Sequence, residues 1–200
     1  MDNTVNGRRH AVTVFLISLN ILIFFICELR GGSGNHTVMR QMGAMVIPCD
    51  FSASSCLRLF TSLFLHFGFT HLMSNMVSLY VMGSFLEERT GHLRFLVLYL
   101  AGGIAGNLVS WYWYTAAGET VISAGASGAI SSLLGATAAM TLLRKKEMRG
   151  ISLPRLLIAV LLVMIPRSDA SIDLAAHIGG LAAGMILTPL TYLPKPFSRY

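Results

Sequence analysis

Two polar side chains, each set in otherwise apolar sequence, could carry out hydrolysis together. Ser127 lies in the run Gly-Ala-Ser-Gly, where Gly125 and Gly128 leave room for a neighbouring helix or a substrate backbone. A serine hydroxyl is a poor nucleophile until a base takes its proton, and a neutral imidazole can do this near pH 7. His177, in a later apolar run, is the candidate for that base.

A second pair of polar residues could stabilise negative charge during such a reaction. His71 and Asn75 are four residues apart, so they lie on one face of a helix. Together with the backbone N–H of Ser127, at the positive end of its helix, they could donate hydrogen bonds to a tetrahedral oxyanion. Taken singly, Ser127 could be a packing residue or helix cap and Asn75 an interhelical hydrogen-bonding residue. The set of four favours a site.

The residues around His177 indicate how it could reach Ser127. Gly180 and Gly184 form a Gly-x-x-x-Gly face that lets the helix backbone press against a neighbour. If that neighbour carries Ser127, the imidazole comes within hydrogen-bonding reach of the hydroxyl. Asp173 lies four residues before His177 and could orient it, but an Asp at a helix start is typically a cap. We therefore predict a Ser–His dyad.

The composition places these residues in a membrane protein. Of 200 residues, 54% are hydrophobic and 12% are charged, with a mean hydropathy of +0.65, whereas soluble domains carry about 25% charged residues. We expect an all-α protein, a compact bundle of six transmembrane helices over residues 11–194, with short termini at 1–10 and 195–200. Residues 29–66 should form an interfacial loop, with apolar stretches at 42–47 and 57–65. The six candidate spans are 11–27, 68–86, 95–114, 121–143, 151–166 and 174–193.

The distribution of basic residues predicts the orientation. With the N-terminus inside, eleven Lys and Arg residues fall in inner segments and four in outer ones, so both termini should be cytoplasmic. The net charge of +6 then reflects orientation in a plasma membrane rather than nucleic-acid binding. The second, fourth and sixth spans all run inward, which places His71, Asn75, Ser127 and His177 at one depth in the outer leaflet. Ionisable residues in hydrocarbon usually face a cavity and serve a function.

Four motifs in this order resemble those of the rhomboid intramembrane serine proteases. They are Gly125-Ala126-Ser127-Gly128, Ala176-His177 with Gly180 and Gly184, His66 with His71 and Asn75, and Glu87-Glu88-Arg89-Thr90-Gly91. The resemblance implies that Ser127 is the nucleophile, His177 the general base, and His71 with Asn75 the lining of the oxyanion hole. It also implies cleavage of transmembrane segments of other proteins near the outer face, through an acyl-enzyme and without metal or cofactor. The fifth span and the loop after it would form the gate.

Two departures from the family pattern keep other functions open. Leu57-Arg58 replaces the usual Trp-Arg, and Ser131 stands where an aromatic residue often packs on the base. A catalytically weak or inactive relative that binds membrane partners is one alternative. Another is a small transporter that uses His71 and His177 as a proton relay. A zinc site of His66, His71 and His177 is a third, although a spacing of five residues fits one helix face poorly. The expected partners are transmembrane substrates and the lipid bilayer of a bacterial cell.

Overall fold

A computed structural model describes residues 10–50, 52–143 and 172–191 of the chain. These residues form five long helices, two short ones, a single 3-10 turn at Ser62–Phe64 and a two-stranded sheet. The helices are α1 Ala11–Leu29, α2 His36–Met42, α3 Ala53–Thr61, α4 Gly68–Thr90, α5 His92–Ala117, α6 Ser127–Leu143 and α7 Leu174–Thr191. The strands are β1 Met45–Ile47 and β2 Val121–Ser123.

The predicted all-α membrane bundle is confirmed in class. By length and composition, α1, α5 and α7 are suited to cross a membrane, and α6 is a shorter apolar helix. Large apolar side chains are exposed on the outside of the bundle, for example Phe15 at 61% and Ile186 at 63%. Such a surface is compatible with lipid. The predicted fifth span, 151–166, and the two termini lie outside the described residues, so the count of six remains a prediction.

The fourth predicted span begins later than expected. Residues 121–126 are not helical, because Val121–Ser123 pairs antiparallel with β1, with Met45 opposite Ser123 and Ile47 opposite Val121. The helix begins at Ser127 itself. An apolar run does not reveal a pairing with a distant strand, and periodicity alone does not separate short strands from helix.

The loop between α1 and α4 is only partly suited to the membrane interface. Met45 and Ile47 are 1% and 0% exposed, so these two side chains are buried inside the protein. The interfacial position of the loop stays a prediction. Leu57 and Phe60 on α3 are exposed. Arg58 between them donates from Nη1 to the carbonyl oxygens of Arg40 and Ala44, both at 2.7 Å. The arginine thus anchors the loop without the tryptophan of the family pattern.

Helix α1 is held at its start by a buried carboxylate on α4. Glu87 accepts hydrogen bonds from the backbone N–H groups of Val12 and Thr13, at 2.9 and 2.8 Å, and from the Thr13 hydroxyl at 2.6 Å. The first N–H groups of a helix have no intrahelical acceptor, so Glu87 satisfies them from another helix. His92 Nδ1 lies 2.5 Å from the same carboxylate. Glu87, the first residue of the Glu-x-Arg-x-Gly run, therefore has a structural role.

Candidate active site

A small cavity that is open at its mouth lies at the start of α6. Ser127, His71 and His177 all line it, from α6, α4 and α7. The three residues are 9%, 4% and 4% exposed, so each of them is almost completely buried. Three of the four predicted site residues therefore border one cavity.

The backbones of α6 and α7 approach each other closely at glycines. A Cβ built on Gly180 would lie 2.1 Å from the Gly128 carbonyl oxygen, and one on Gly184 would lie 1.9 Å from that of Ser132. A Cβ built on Gly128 would lie 3.5 Å from the carbonyl oxygen of Ala176. Gly128 follows Ser127 and Ala176 precedes His177 in the chain, so the two helix backbones approach each other next to both residues.

The segment before Ser127 is fixed by backbone hydrogen bonds. The N–H of Gly125 donates to the carbonyl oxygen of Ser62 at 2.9 Å, and that of Ala126 to His66 Nε2 at 3.4 Å. The bond from the Ile130 N–H to the Ala126 carbonyl, at 2.9 Å, closes the first turn. The N–H groups of Ser127, Gly128 and Ala129 come before that bond and have no acceptor within the helix. Ser127 and Gly128 line the cavity, where an anion would be favoured.

His71 forms the wall opposite this turn. Its ring contacts that of His66 edge-on, with the centroids 5.0 Å apart and the planes at 76°. Gly125 has a φ of 147°, and a Cβ there would lie 2.7 Å from His71 Nε2 and 3.6 Å from Ser127 Oγ. Glycine is therefore required at this position both by its backbone angle and by the nearness of the imidazole.

Asn75 lies one turn further along α4 and is completely buried. Neither its amide nitrogen nor its amide oxygen has a hydrogen-bond partner among the described residues. An unsatisfied buried amide costs about 1–3 kcal/mol, so such groups are rare and call for an explanation.

Two other polar residues line the cavity: Asn107, which was not predicted from the sequence, and Asp173, which was considered there only as a residue that could orient His177 or cap its helix. Asn107 Nδ2, on α5, donates to the Leu59 carbonyl at 2.8 Å and to Ser62 Oγ at 2.9 Å. Asp173 accepts hydrogen bonds from Ser110 and Ser123. The available signal was the presence of Asn107 and Ser110, three residues apart on one helix face, within an apolar run.

The described residues contain no group of three His, Cys, Asp or Glu side chains arranged to hold a metal ion. His66, His71 and His177 all belong to that part of the chain, and His66 instead accepts a backbone hydrogen bond. Among the described residues, these three histidines do not form such a group.

The bundle, the cavity and the four motifs define a membrane protein of a known class. A family model for the Rhomboid domain matches residues 53–194, and the chain belongs to the rhomboid family. It is 35% identical over 191 residues to the rhomboid protease GluP of Bacillus subtilis, which covers 95% of this chain and 36% of that protein. It is also 35% identical to the putative rhomboid protease YdcA of Bacillus subtilis, over 94% of this chain and 92% of that one.

A more distant relative is the rhomboid-like protease 3 of Toxoplasma gondii, 31% identical over 87% of this chain and 66% of that protein. The chain spans about a third of the length of GluP but nearly all of YdcA. The matched part of GluP is therefore comparable in extent to the whole of YdcA.

Proposed function

We propose that this chain is an intramembrane serine endopeptidase that cleaves transmembrane segments of other proteins. One observation carries the proposal: Ser127 and His177, from two helices, line the same cavity, and the backbones of these two helices approach closely at the neighbouring residues Gly128 and Ala176. Membership of the rhomboid family, and relatives that are named proteases, support it.

In the proposed reaction His177 takes the proton of Ser127 Oγ as the oxygen attacks the carbonyl carbon of the scissile bond. The tetrahedral intermediate collapses when the protonated imidazole gives that proton to the leaving amine, which releases one product and leaves an acyl-serine. Water then attacks the ester: His177 takes a proton from the water and returns it to Ser127 Oγ as the ester bond breaks, which releases the second product and restores both side chains. Every proton in this scheme is transferred by the dyad, so no cofactor is required.

The oxyanion would be stabilised by the start of α6 and by α4. The backbone N–H of Ser127 and the side chains of His71 and Asn75 are the proposed donors. The unpartnered amide of Asn75 supports this role, because a donor held in place before the reaction need not break another bond to reach the oxyanion.

We further propose that the chain spans the plasma membrane of a bacterial cell with both termini in the cytoplasm. Residues 11–194 would then form the membrane domain, residues 1–10 and 195–200 its cytoplasmic ends, and 29–66 a loop at the outer surface. The excess of basic residues in the inner segments supports this orientation. The site would lie in the outer leaflet, where transmembrane substrates can reach it.

A reporter with a marginally stable transmembrane helix tests the proposal. Purified protein in liposomes should cut the reporter, and Ser127→Ala and His177→Ala should each lower the rate by at least about 1,000-fold. A fluorophosphonate should label the wild type but not Ser127→Ala. As a control, Ser54→Ala removes a hydroxyl on α3, outside the cavity lining, and should leave both rates unchanged.

The outcomes separate the alternatives. Labelling without cleavage of any reporter would indicate a weak enzyme or a partner-binding relative, in keeping with Ser131 at the position of the usual aromatic residue. Equal labelling of wild type and Ser127→Ala would overturn the mechanism. Proton-coupled transport that survives Ser127→Ala would favour the transporter.

A further inference from the structure

One carboxylate at the mouth of the cavity joins three separate elements. Asp173 Oδ1 accepts a hydrogen bond from the backbone N–H of Ala176 at 2.9 Å, as a cap of α7 does. Its Oδ2 accepts from the hydroxyl of Ser110 on α5 and from the hydroxyl of Ser123 at the end of β2, both at 2.6 Å. Hydroxyl donors to a carboxylate at this distance form strong, charge-assisted bonds.

The two ends of this connection carry the proposed dyad. The cap fixes the first turn of α7, where the N–H of His177 also donates to the Asp173 carbonyl at 3.2 Å. Ser123 is the last residue of β2, and Ser127 follows it by four residues. The contact with Ser110, which is fully buried, attaches both ends to the long helix α5.

We propose that Asp173 is a positioning residue that holds His177 and Ser127 in register. It acts through the first turn of α7 and the end of β2, and it neither touches the reacting atoms nor takes part in a proton transfer. This inference rests on the proposed function. It differs from a Ser–His–Asp triad, because the carboxylate oxygens bind Ala176 and the two serine hydroxyls.

Substitutions can distinguish a residue that only caps a helix from one that joins three elements. Serine caps a helix about as well as aspartate. Its side chain is shorter and has one oxygen, so it cannot also bind the hydroxyls on α5 and β2. Asp173→Ser therefore keeps the cap and removes the connection. Replacing Ser110 and Ser123 by Ala removes the connection from the other side and leaves Asp173 in place.

The experiment measures the rate of fluorophosphonate labelling of Ser127, the kcat and KM for the reporter, and the unfolding temperature. We expect Asp173→Ser and the Ser110→Ala/Ser123→Ala pair each to lower the labelling rate and kcat about ten- to hundredfold, with KM unchanged. Combining all three changes should lower them no further than either alone, because the same connection is removed. Asp173→Asn, which keeps the shape of the side chain, should recover part of the rate.

Asn35→Ser is the matched control, because Asn35 caps α2 through the N–H of Thr37 and lies outside the site. It should leave labelling and kcat at the wild-type level. A lower unfolding temperature for Asp173→Ser with unchanged labelling and kcat would overturn the inference and leave only a cap. If Asp173→Ser does not fold, Ser123→Ala alone decides, and unchanged labelling there overturns it. Failure of the wild type to label would instead refute the proposed function.

Discussion

Gly125 shows how closely the site residues are fitted together. Its φ of 147° is unfavourable for residues with a side chain, and a Cβ would lie 2.7 Å from His71 Nε2. The motif Gly-Ala-Ser-Gly identifies this glycine from the sequence. Its closeness to His71 does not follow from the motif, because His71 lies on α4 whereas Gly125 lies between β2 and α6.

Gly125→Ala should therefore lower the rate of fluorophosphonate labelling by more than about tenfold, because the methyl group displaces the His71 ring beside Ser127. Gly118→Ala is the matched control, since Gly118 also has a positive φ, 71°, but nothing lies within 4 Å of an added Cβ. The control also places a side chain at a positive φ and should keep the labelling rate. Equal loss in both variants would show that the nearness of His71 is not what lowers the rate.

The buried amide of Asn75 should separate stability from activity. Asn75→Leu replaces an unpartnered polar group by an apolar one of similar size, so the unfolding temperature should not fall. If the amide stabilises the oxyanion, kcat should fall about 100-fold. Reporter turnover and thermal unfolding of the same preparation measure the two effects. Unchanged turnover would remove Asn75 from the proposed site.

Among the elements, α6 and α7 depend most on small residues. Each carries glycines against the other's backbone, so the two helices approach more closely than larger side chains would allow. The Gly-x-x-x-Gly spacing predicted a close approach of the last helix to a neighbour. The strand that precedes α6 was missed, because its three residues continue an apolar run.

Gly184→Ala should destabilise the protein by about 1–3 kcal/mol and slow labelling of Ser127, because the added methyl group would lie 1.9 Å from the Ser132 carbonyl oxygen. Ala182→Val adds bulk to an exposed position two residues away and serves as the control. Thermal unfolding and the labelling rate measure both effects. Similar behaviour of the two variants would contradict tight packing at Gly184.

Asp50, just before α3, carries a carboxylate whose protonation should affect the stability of the folded loop. The hydroxyls of Ser52 and Ser55 and the N–H of Ser52 bind Asp50 and lower its pKa from 3.8 to about 2. Since the folded pKa is the lower one, this carboxylate favours the folded loop above about pH 3.8, and its contribution is lost as the pH falls through about 2.

Replacing Ser52 and Ser55 by Ala should raise the pKa of Asp50 towards 3.8. A pH titration of the Asp carboxyl carbons by NMR measures it, with Asp50→Asn to assign the signal. A pKa that stays near 2 in the double variant would show that the two serines do not cause the shift.

At the scale of the whole molecule, the class of fold could be predicted and the long-range contacts could not. Composition and hydrophobic runs indicate a membrane bundle whatever the contacts are. The contacts of Asp173 join residues 50 and 63 positions apart, and those of Glu87 join residues 74 and 75 apart. Nothing in the local sequence of Asp173 or Glu87 distinguishes such a contact from an ordinary cap or an exposed charge.

Glu87 provides the test at this scale. The Rhomboid match begins at residue 53, so α1 lies before it and depends on Glu87 for the hydrogen bonds of its first turn. Glu87→Ala leaves two backbone N–H groups and a hydroxyl without this acceptor and should cost about 3 kcal/mol. Labelling of Ser127 in the folded fraction should persist, because Glu87 lies at the far end of α4 from His71.

The neighbouring Glu88, whose side chain is 44% exposed, is the control for this variant. Glu88→Ala should change the unfolding temperature little. Equal destabilisation by the two variants would show that the buried contacts with α1 are not what distinguishes Glu87.

The placement of Ser127 and His177 on separate helices has a consequence for synthesis of the protein. The ribosome makes the residue with the hydroxyl fifty positions before the residue with the imidazole, an interval of roughly 3–10 seconds at about 5–20 residues per second. During that interval the nascent chain holds an unactivated alcohol beside newly inserted membrane proteins. The proposed protease would therefore become active only when α7 has been inserted and has packed against α6, which would protect its neighbours from premature cleavage.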